Sequence, residues 1–389
     1  MLTFKSFLKS NIVEKVNEEI MIYGFSEEEF FTLSEEHVPP SIHNVPSEVL
    51  DEPKTPREVA VHKLHFMPNP RDLKPPKKEN VWQKMRQGAH EYFSADPKEQ
   101  KKLRDEANEI RPQDLFTDEA SNPKLAKNGK KVPEYKTKGL FLAPSTMSGT
   151  DVCPAATKEC KAACLGPHSG RGVMEPVKKS RLDRTHFMLN SPKHFYAKLD
   201  AEIEAAKKAA HKRSQKVAVR LNGTSDIPHE HIAPQLFKKH HDAQFYDYTK
   251  LAGRPKHKGM PENYHLTVSS TGLNHAGSNW KQVRDHLDRG GVASMVFQTK
   301  TARMAGQHGV AGQLPTHVHD EETGKIYKVI DGDEHDHRHL DHALTGTEEG
   351  QGLIAGLRLK GMSDKPEKAG KFAVAPNDDG SVTAKRGQN

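Results

Sequence analysis

The sequence predicts an α/β protein whose parallel β/α units form a partial or complete TIM-like barrel. From about residue 137, short apolar runs rich in β-branched residues alternate with amphipathic helical stretches, which is the order that a parallel sheet requires. Six or seven such units fit into about 225 residues, the size of a complete or partial barrel. A doubly wound open sheet is the alternative fold.

Seven segments have the composition of strands, and helical patterns lie between several of them. The strands are predicted at residues 139–144, 216–227, 243–250, 263–271, 291–299, 325–333 and 352–361. The clearest helix follows Ser191, which we expect to cap it, and continues with Pro192 in its first turn. Phe195, Leu199 and Ile203 recur on one face of this helix, so that face should be buried.

The segments on either side of this domain differ from it in amino-acid composition, and the chain divides into four regions. Prolines are dense between residues 36 and 80, which is typical of an extended arm. Asp96 and Pro97 begin a mostly polar helix that we expect on the surface. The four regions are a short amphipathic N-terminal helix region (1–36), a proline-rich linker plus surface helix (37–136), the α/β barrel domain (137–362) and a flexible tail (363–389).

Composition narrows the cellular setting. Hydrophobic residues make up 34% of the 389 residues, and the net charge is +7, which favours polyanionic partners such as nucleic acid. No apolar run approaches the roughly 18 residues of a membrane helix, and charges interrupt the N-terminus too often for a signal peptide. We therefore expect a soluble intracellular protein with no membrane partner.

All three cysteines lie within twelve residues, at Cys153, Cys160 and Cys164, in the loop after the first predicted strand. In a reducing compartment such clustered thiols are typical of ligands or catalytic groups. Three thiolates that leave one iron open suit a [4Fe–4S] cluster, and this position is the layout of radical S-adenosylmethionine enzymes. The C-x6-C-x3-C spacing is wider than their usual motif. Zinc with a fourth ligand such as His168, or redox-active or buried thiols, are the alternatives.

Polar side chains follow every predicted strand, at the edge where parallel α/β folds bind ligands. Turn-forming residues also favour such positions, which is the competing explanation. We expect Asp226, Asp247 and Lys250 to act in catalysis, with Lys250 as an acid or base. Residues expected to bind cofactor or substrate are Asn222, Ser225, Ser269, Ser270, Gln298, Asp333 and Arg338.

Two further stretches have a functional and a structural interpretation. Residues 331–342, "DGDEHDHRHLDH", contain four Asp and four His, which suit either a divalent-metal site or a solvated polar loop. Residues 178–188, "KKSRLDRTHFM", form either an exposed helix face or a phosphate contact.

An ordered set of motifs resembles the phage gene product 88 domain family. These motifs are "LAPSTMSGTDVCPAATKECKAACL", "RLNGTSDI", "FYDYTK", "YHLTVSSTG" and "VIDGDEHDHRHLD", spread over roughly residues 137–362. The resemblance implies a phage origin, and hence the host cytoplasm, but it implies no reaction.

Three functions remain open. The first is a radical S-adenosylmethionine-like enzyme that carries a [4Fe–4S] cluster and acts on a nucleotide, nucleic acid or translation component. The second is a zinc-containing nucleic-acid-binding or host-interaction module. The third is a metal-dependent hydrolase or nuclease centred on residues 331–342. The sequence gives no oligomeric state.

Overall fold

The computed structural model describes residues 81–117, 119–120, 122–168, 170–299, 312–360, 366–377 and 379–388. The predicted N-terminal helix and the proline-dense segment up to residue 80 lie outside these residues. In the part of the chain that the structure describes, no helix is long and apolar enough to cross a membrane.

Eleven strands form one sheet. They are β1 (Phe116–Thr117), β2 (Tyr135–Leu140), β3 (Lys216–Arg220), β4 (Gln244–Thr249), β5 (Tyr264–Ser269), β6 (Val292–Phe297), β7 (His317–Asp320), β8 (Ile326–Asp331), β9 (Leu353–Arg358), β10 (Ala373–Val374) and β11 (Val382–Ala384).

Helices lie before and between these strands. They are α1 (Val81–Ser94), α2 (Pro97–Ile110), α3 (Pro123–Lys131), α4 (Lys158–Ala162), α5 (Leu165–His168), α6 (Glu175–Asn190), α7 (Pro192–His211), α8 (His229–Ile232), α9 (Pro234–Lys239), α10 (Trp280–Leu287) and α11 (Asp341–Thr345). Short 3-10 turns cover Gly170–Val173, Arg254–Lys256, Arg338–Leu340 and Pro366–Phe372.

The sheet is mostly parallel, as the alternating pattern predicts, but it is open. The strand order is β1-β2-β3-β4-β5-β6-β9-β8-β7-β11, and β10 pairs with β6. The array from β2 to β8 is parallel throughout. A closed barrel would pair β2 with β8. Instead β1 and β7 occupy those two edges as antiparallel neighbours, so the described strands do not form a complete barrel.

The strand register brings the carboxyl ends of the parallel strands to one edge. Gly139 is level with Arg220, and Thr249 is level with Val268. Ser269 is likewise level with Ser294, and Phe297 with Arg358. The residues after β2, β3, β4, β5 and β6 therefore meet at a common edge, called the carboxyl edge below.

Helices α1, α2, α6 and α7 bury one face of the sheet. The predicted stripe of Phe195, Leu199 and Ile203 is fully buried in this core, which confirms that prediction. Ser191 does not cap α7 with its side chain, because α6 ends at Asn190 and Ser191 serves as the last cap of that helix at the same time. The backbone N–H of Ser191 donates to Phe187 O instead.

The segment before residue 137 packs into the same core. Asp96 caps α2 as predicted, since its side chain accepts from Lys98 N at 2.8 Å and from Glu99 N at 3.0 Å. Helix α2 nevertheless buries Leu103 and Ala107, and α1 buries Tyr92. Residue 137 therefore marks no break in the packing.

The opposite, inner face of the sheet is covered by residues 333–341. The side chains of Thr137 on β2 and His337 are hydrogen-bonded at 3.1 Å. Arg220 at the end of β3 pairs with Asp336, also at 3.1 Å. This stretch, expected as either a metal site or a solvated loop, is therefore an interior segment that crosses from β8 to β2 and β3.

Residues 373–374 and 382–384 are strands of the sheet, within the region that the sequence suggests as a flexible tail. Strand β10 runs parallel to β6, with Ala373 level with Val296. Strand β11 runs parallel to β7, with Val382 level with Val318. Because Ala373, Val374, Val382 and Ala384 are buried, this polar-looking segment still contributes apolar area to the core.

Candidate functional site

The cysteine loop follows β2 and lies at the carboxyl edge. The backbone N–H of Cys153 donates to Asp151 Oδ1 at 2.9 Å, and its thiol donates to Thr224 O at 3.7 Å. Cys160 lies in α4, whose N-cap is Thr157. An ion pair of 2.7 Å between Lys161 and Asp151 ties α4 back to the start of the loop. The loop is therefore fixed at both cysteine-bearing ends.

The three thiols do not form a metal site in this arrangement. All are free and partly buried, and Cys164 lies within electrostatic range of both Cys153 and Cys160. Burial raises the pKa of Cys153 and of Cys164, so both are protonated thiols at neutral pH. Among the described residues, no three His, Cys, Asp or Glu side chains are placed to hold a metal ion. The residue types suit a soft metal or a cluster, although their arrangement here does not form a site for one.

Lys250 joins the cysteine loop to the next strands. Its ammonium donates to Ser269 Oγ and to Ser270 O, both at 3.2 Å. It lies 5.0 Å from the ring centroid of Phe372 and within electrostatic range of Cys164, where its charge favours the thiolate. Of the predicted residues, Lys250 therefore lies within electrostatic range of Cys164, and Asp226 lies within that of Cys153.

Asn222, Ser225 and Asp247 form a buried network beneath this edge. Asn222 Oδ1 accepts from Ser225 Oγ and from Ile227 N, both at 2.8 Å, and Asn222 N donates to Asp247 Oδ1 at 2.7 Å. Burial raises the pKa of Asp247 to about 6, and the charge of Arg220 partly offsets this rise. These polar atoms are used inside the protein, where they shape the loop after β3.

Asp226 belongs to a second buried network, centred on Arg254. Its carboxylate accepts from Lys250 N at 2.8 Å and from Arg254 Nη1 at 2.5 Å. Arg254 also binds Glu230 through two parallel bonds of 2.7 Å. Sequence reasoning missed Arg254, whose only local signal is an arginine before a proline just after the end of β4. The network fixes the backbone that carries Lys250.

Ser270 and Gln298 are engaged in backbone contacts at the same edge. Ser270 Oγ accepts from Gly272 N at 3.0 Å. Gln298 donates through its side chain to Ala373 O at 2.9 Å and through its backbone to Val374 O at 2.8 Å. The N–H groups of Gln298, which we expected to bind a cofactor, are therefore hydrogen-bonded to strand β10.

Asp333 and Arg338 lie apart from the cysteine loop. Asp333 pairs with Arg358 at 3.2 Å and with Lys360 at 2.5 Å, beside the ends of β8 and β9. Arg338 is buried on the inner face, where its guanidinium is 3.1 Å from the carboxylate of Asp341. No contact within the described part of the chain joins either residue to a cysteine.

The acidic groups of residues 331–342 already face cations. Asp331 pairs with Arg358 at 2.9 Å, Asp336 with Arg220 and Asp341 with Arg338. Burial lowers the pKa of three of the four histidines in this segment, to about 4 for His335 and His337 and to about 3 for His339, so these three are neutral at pH 7.

Comparison with known proteins identifies the family but no activity. No curated protein and no solved structure matches this chain significantly. The family model described as Gene product 88 matches residues 99–372, from the first turn of α2 to the end of the 3-10 turn before β10. The matched region thus contains the parallel array, the cysteine loop and the inner-face segment. Because it covers well over half of the chain, this protein belongs to the phage gene product 88 domain family.

Proposed function

We propose that this protein is an enzyme of the host cytoplasm whose active site is the carboxyl edge of an open, partial barrel. In this proposal Cys153, Cys160 and Cys164 hold a [4Fe–4S] cluster, and S-adenosylmethionine is the candidate cofactor. The substrate is a nucleotide, a nucleic acid or a translation component. The observation that supports it most is the position of Cys164, which interacts with both other thiols and with Lys250 at one edge of a parallel sheet.

The protonation of the thiols gives this proposal a measurable consequence. A cluster takes thiolates, and burial holds Cys153 and Cys164 in the neutral form. Uptake of iron must therefore displace protons, so reconstitution should be more complete at pH 8.5 than at pH 6.5. Lys250 acts in the same direction, because its positive charge favours the thiolate of Cys164.

The test is purification and reconstitution without oxygen, with iron and sulfide analysis and an absorbance spectrum. Cys153→Ala, Cys160→Ala and Cys164→Ala should each lose iron while the circular dichroism spectrum is unchanged. Lys158→Ala is the matched control, since it removes an exposed side chain from the same short helix. A wild-type protein that stays free of iron after reconstitution would overturn the proposal.

A second candidate is a zinc-containing nucleic-acid-binding or host-interaction module. Zinc in a structural site takes four ligands, and the buried carboxylate of Asp151 is hydrogen-bonded to the backbone of Cys153. In this second candidate the carboxylate of Asp151 would be the fourth ligand beside the three thiolates, once its ion pair with Lys161 opens. One equivalent of zinc, with unfolding on chelation and loss of zinc in Asp151→Asn, would favour this module over the enzyme.

The pairing of residues 331–342 does not favour a metal-dependent hydrolase. A hard divalent cation needs free carboxylate oxygens, and each aspartate of this segment faces an arginine or lysine. We therefore do not extend that hypothesis.

A further inference from the structure

A buried arginine without a hydrogen-bond partner among the described residues follows α2 and lies within electrostatic range of Arg184 on α6. Arg111 follows α2, and only 6% of its surface is exposed. Its Nε has no hydrogen-bond partner, and no ion pair of its guanidinium occurs among the described residues. Leaving a buried charge unpaired is costly, so a guanidinium in this state indicates a missing anion.

Two more arginines approach the same place from α6. Arg184 reaches only backbone carbonyls, those of Asp114 and Phe141, each at 3.4 Å. Arg181 donates to Gly166 O at 2.6 Å, while its buried Nε has no partner. Both guanidinium groups therefore keep donors that no carboxylate of the described chain satisfies.

Arg184 lies within electrostatic range of both other arginines, and their charges repel it. Burial lowers the pKa of Arg111 and of Arg181, and it lowers that of Arg184 to about 10, with the charges of Arg111 and Arg181 adding to the effect. Like charges placed together in a partly buried position are typical of sites whose ligand is an anion.

The nearby carboxylates do not neutralise the positive charge of the three arginines through hydrogen bonds. Asp183 pairs with Lys179 at 3.1 Å. Glu202 accepts from the backbone N–H groups of Leu115 and Phe116, at 2.8 and 2.9 Å. The carboxylates of Asp114 and Glu202 attract Arg111 and Arg184 at longer range, and that of Asp183 attracts Arg111. None of the three is hydrogen-bonded to an arginine of the group.

One of the three arginines, Arg181, interacts with the cysteine loop. Arg181 lies within electrostatic range of Cys164, and its guanidinium is 5.8 Å from the ring centroid of Phe141, just after β2. The turns between Cys164 and α6 also leave three apolar side chains about half exposed, namely Leu165 at 46%, Val173 at 52% and Met174 at 49%. Exposed apolar groups beside cationic groups suit a ligand with a flat apolar part and a phosphate part.

We propose that Arg111, Arg181 and Arg184 bind the phosphate groups of a nucleotide or nucleic acid, whose base contacts Leu165, Val173 and Met174. The guanidinium fork matches phosphate oxygens, and Arg181 lies within electrostatic range of Cys164 in the cysteine loop. This inference deepens the proposed function, since it names the substrate class of that site. Binding itself does not require a cluster.

The experiment measures binding to the full chain in its iron-free form. The probes are inorganic phosphate, AMP and ATP by calorimetry, and fluorescein-labelled single-stranded RNA and DNA 12-mers by anisotropy. Arg184→Gln and Arg111→Gln should each weaken binding at least about 10-fold, as expected for the loss of one charge-assisted bond. The matched control is Lys178→Gln with Lys179→Gln, which removes two charges from the same helix that are already paired with Glu175 and Asp183.

The two classes of probe distinguish a mononucleotide from a nucleic acid as the ligand that carries the phosphate groups. Saturable binding of AMP or ATP identifies a mononucleotide, while 12-mer binding that weakens steeply with salt identifies a nucleic acid. If Arg111→Gln does not fold, Arg181→Gln replaces it, because that side chain is partly exposed. No binding of any probe at millimolar concentration by folded wild-type protein, or equal loss in the lysine control, would overturn the inference. Binding that persists in Cys160→Ala separates this site from the cluster.

Discussion

Replacing Arg254 with methionine should destabilise the protein strongly, although Arg254 carries no expected role in chemistry. The side chain is 1% exposed and binds Glu230 twice at 2.7 Å and Asp226 once at 2.5 Å. Methionine keeps much of the volume but leaves both carboxylates buried without a counter-ion. Breaking a buried ion pair in this way costs about 3–5 kcal/mol in the free energy of unfolding.

Urea unfolding followed by circular dichroism at pH 7 measures this loss. Lys131→Met is the control, because its pair with Glu334, at 2.8 Å, is about half exposed on both sides and should contribute less than about 1 kcal/mol. Adding Glu230→Gln to Arg254→Met should restore part of the stability, since it removes one of the uncompensated charges. A loss below about 1 kcal/mol for Arg254→Met, or no recovery in the double variant, would refute the reasoning.

Three other predictions concern pH, a glycine and the C-terminal strand. Acidification from pH 7 to pH 5 should lower the urea midpoint, because burial lowers the pKa of seven histidines to about 3 or 4. These are His229, His231, His265, His286, His335, His337 and His339. The unfolded chain then binds protons that the folded chain does not, at up to about 1.4 kcal/mol per pH unit for each group below pH 6.5. Asp247 and Asp341, whose pKa burial raises to about 6 and about 7, act oppositely but are fewer, so an unchanged midpoint would contradict this account. Gly272→Ala should lower the melting temperature, because φ is +106° there and an added Cβ would lie 1.8 Å from Lys371 O, whereas Gly324→Ala, with φ +71° and open space, should cost less. Deleting residues 375–389 should also lower it, because β11 is lost, while removal of a truly flexible tail would leave it unchanged.

Local patterns predicted most of the regular elements of this fold, although the first strand of the parallel array is Tyr135–Leu140 rather than residues 139–144. The stripe of Phe195, Leu199 and Ile203 and the cap at Asp96 depend on residues a few positions apart, and both are present. Ser191 failed as a side-chain cap because two helices share it, which neither helix reveals alone. The composition of residues 373–384 is polar on average and hides two short strands that are fixed by distant partners.

The edges of the sheet and the charges of the site depend on contacts between distant residues. Nothing near β2 or β8 in the sequence shows that β1 and β7 will occupy their edges. The cations that neutralise Asp336 and Asp331 come from Arg220 and Arg358, which lie far away in the chain. A loop rich in acids therefore resembles a metal site in the sequence, although the fold supplies its counter-ions.

The segment that covers the inner face also constrains how the protein can fold during synthesis. Asn128 accepts a bond from Asp336 N, and Thr137 contacts His337, pairs that are 208 and 200 residues apart in the chain. The first strands therefore leave the ribosome long before the residues that cover them. Their inner face stays uncovered until the last third of the chain has been synthesised. That surface combines the polar groups of Thr137, Arg220 and Tyr248 with the apolar side chains of Tyr135, Ala218 and Tyr246, so an incomplete chain exposes both kinds of group there.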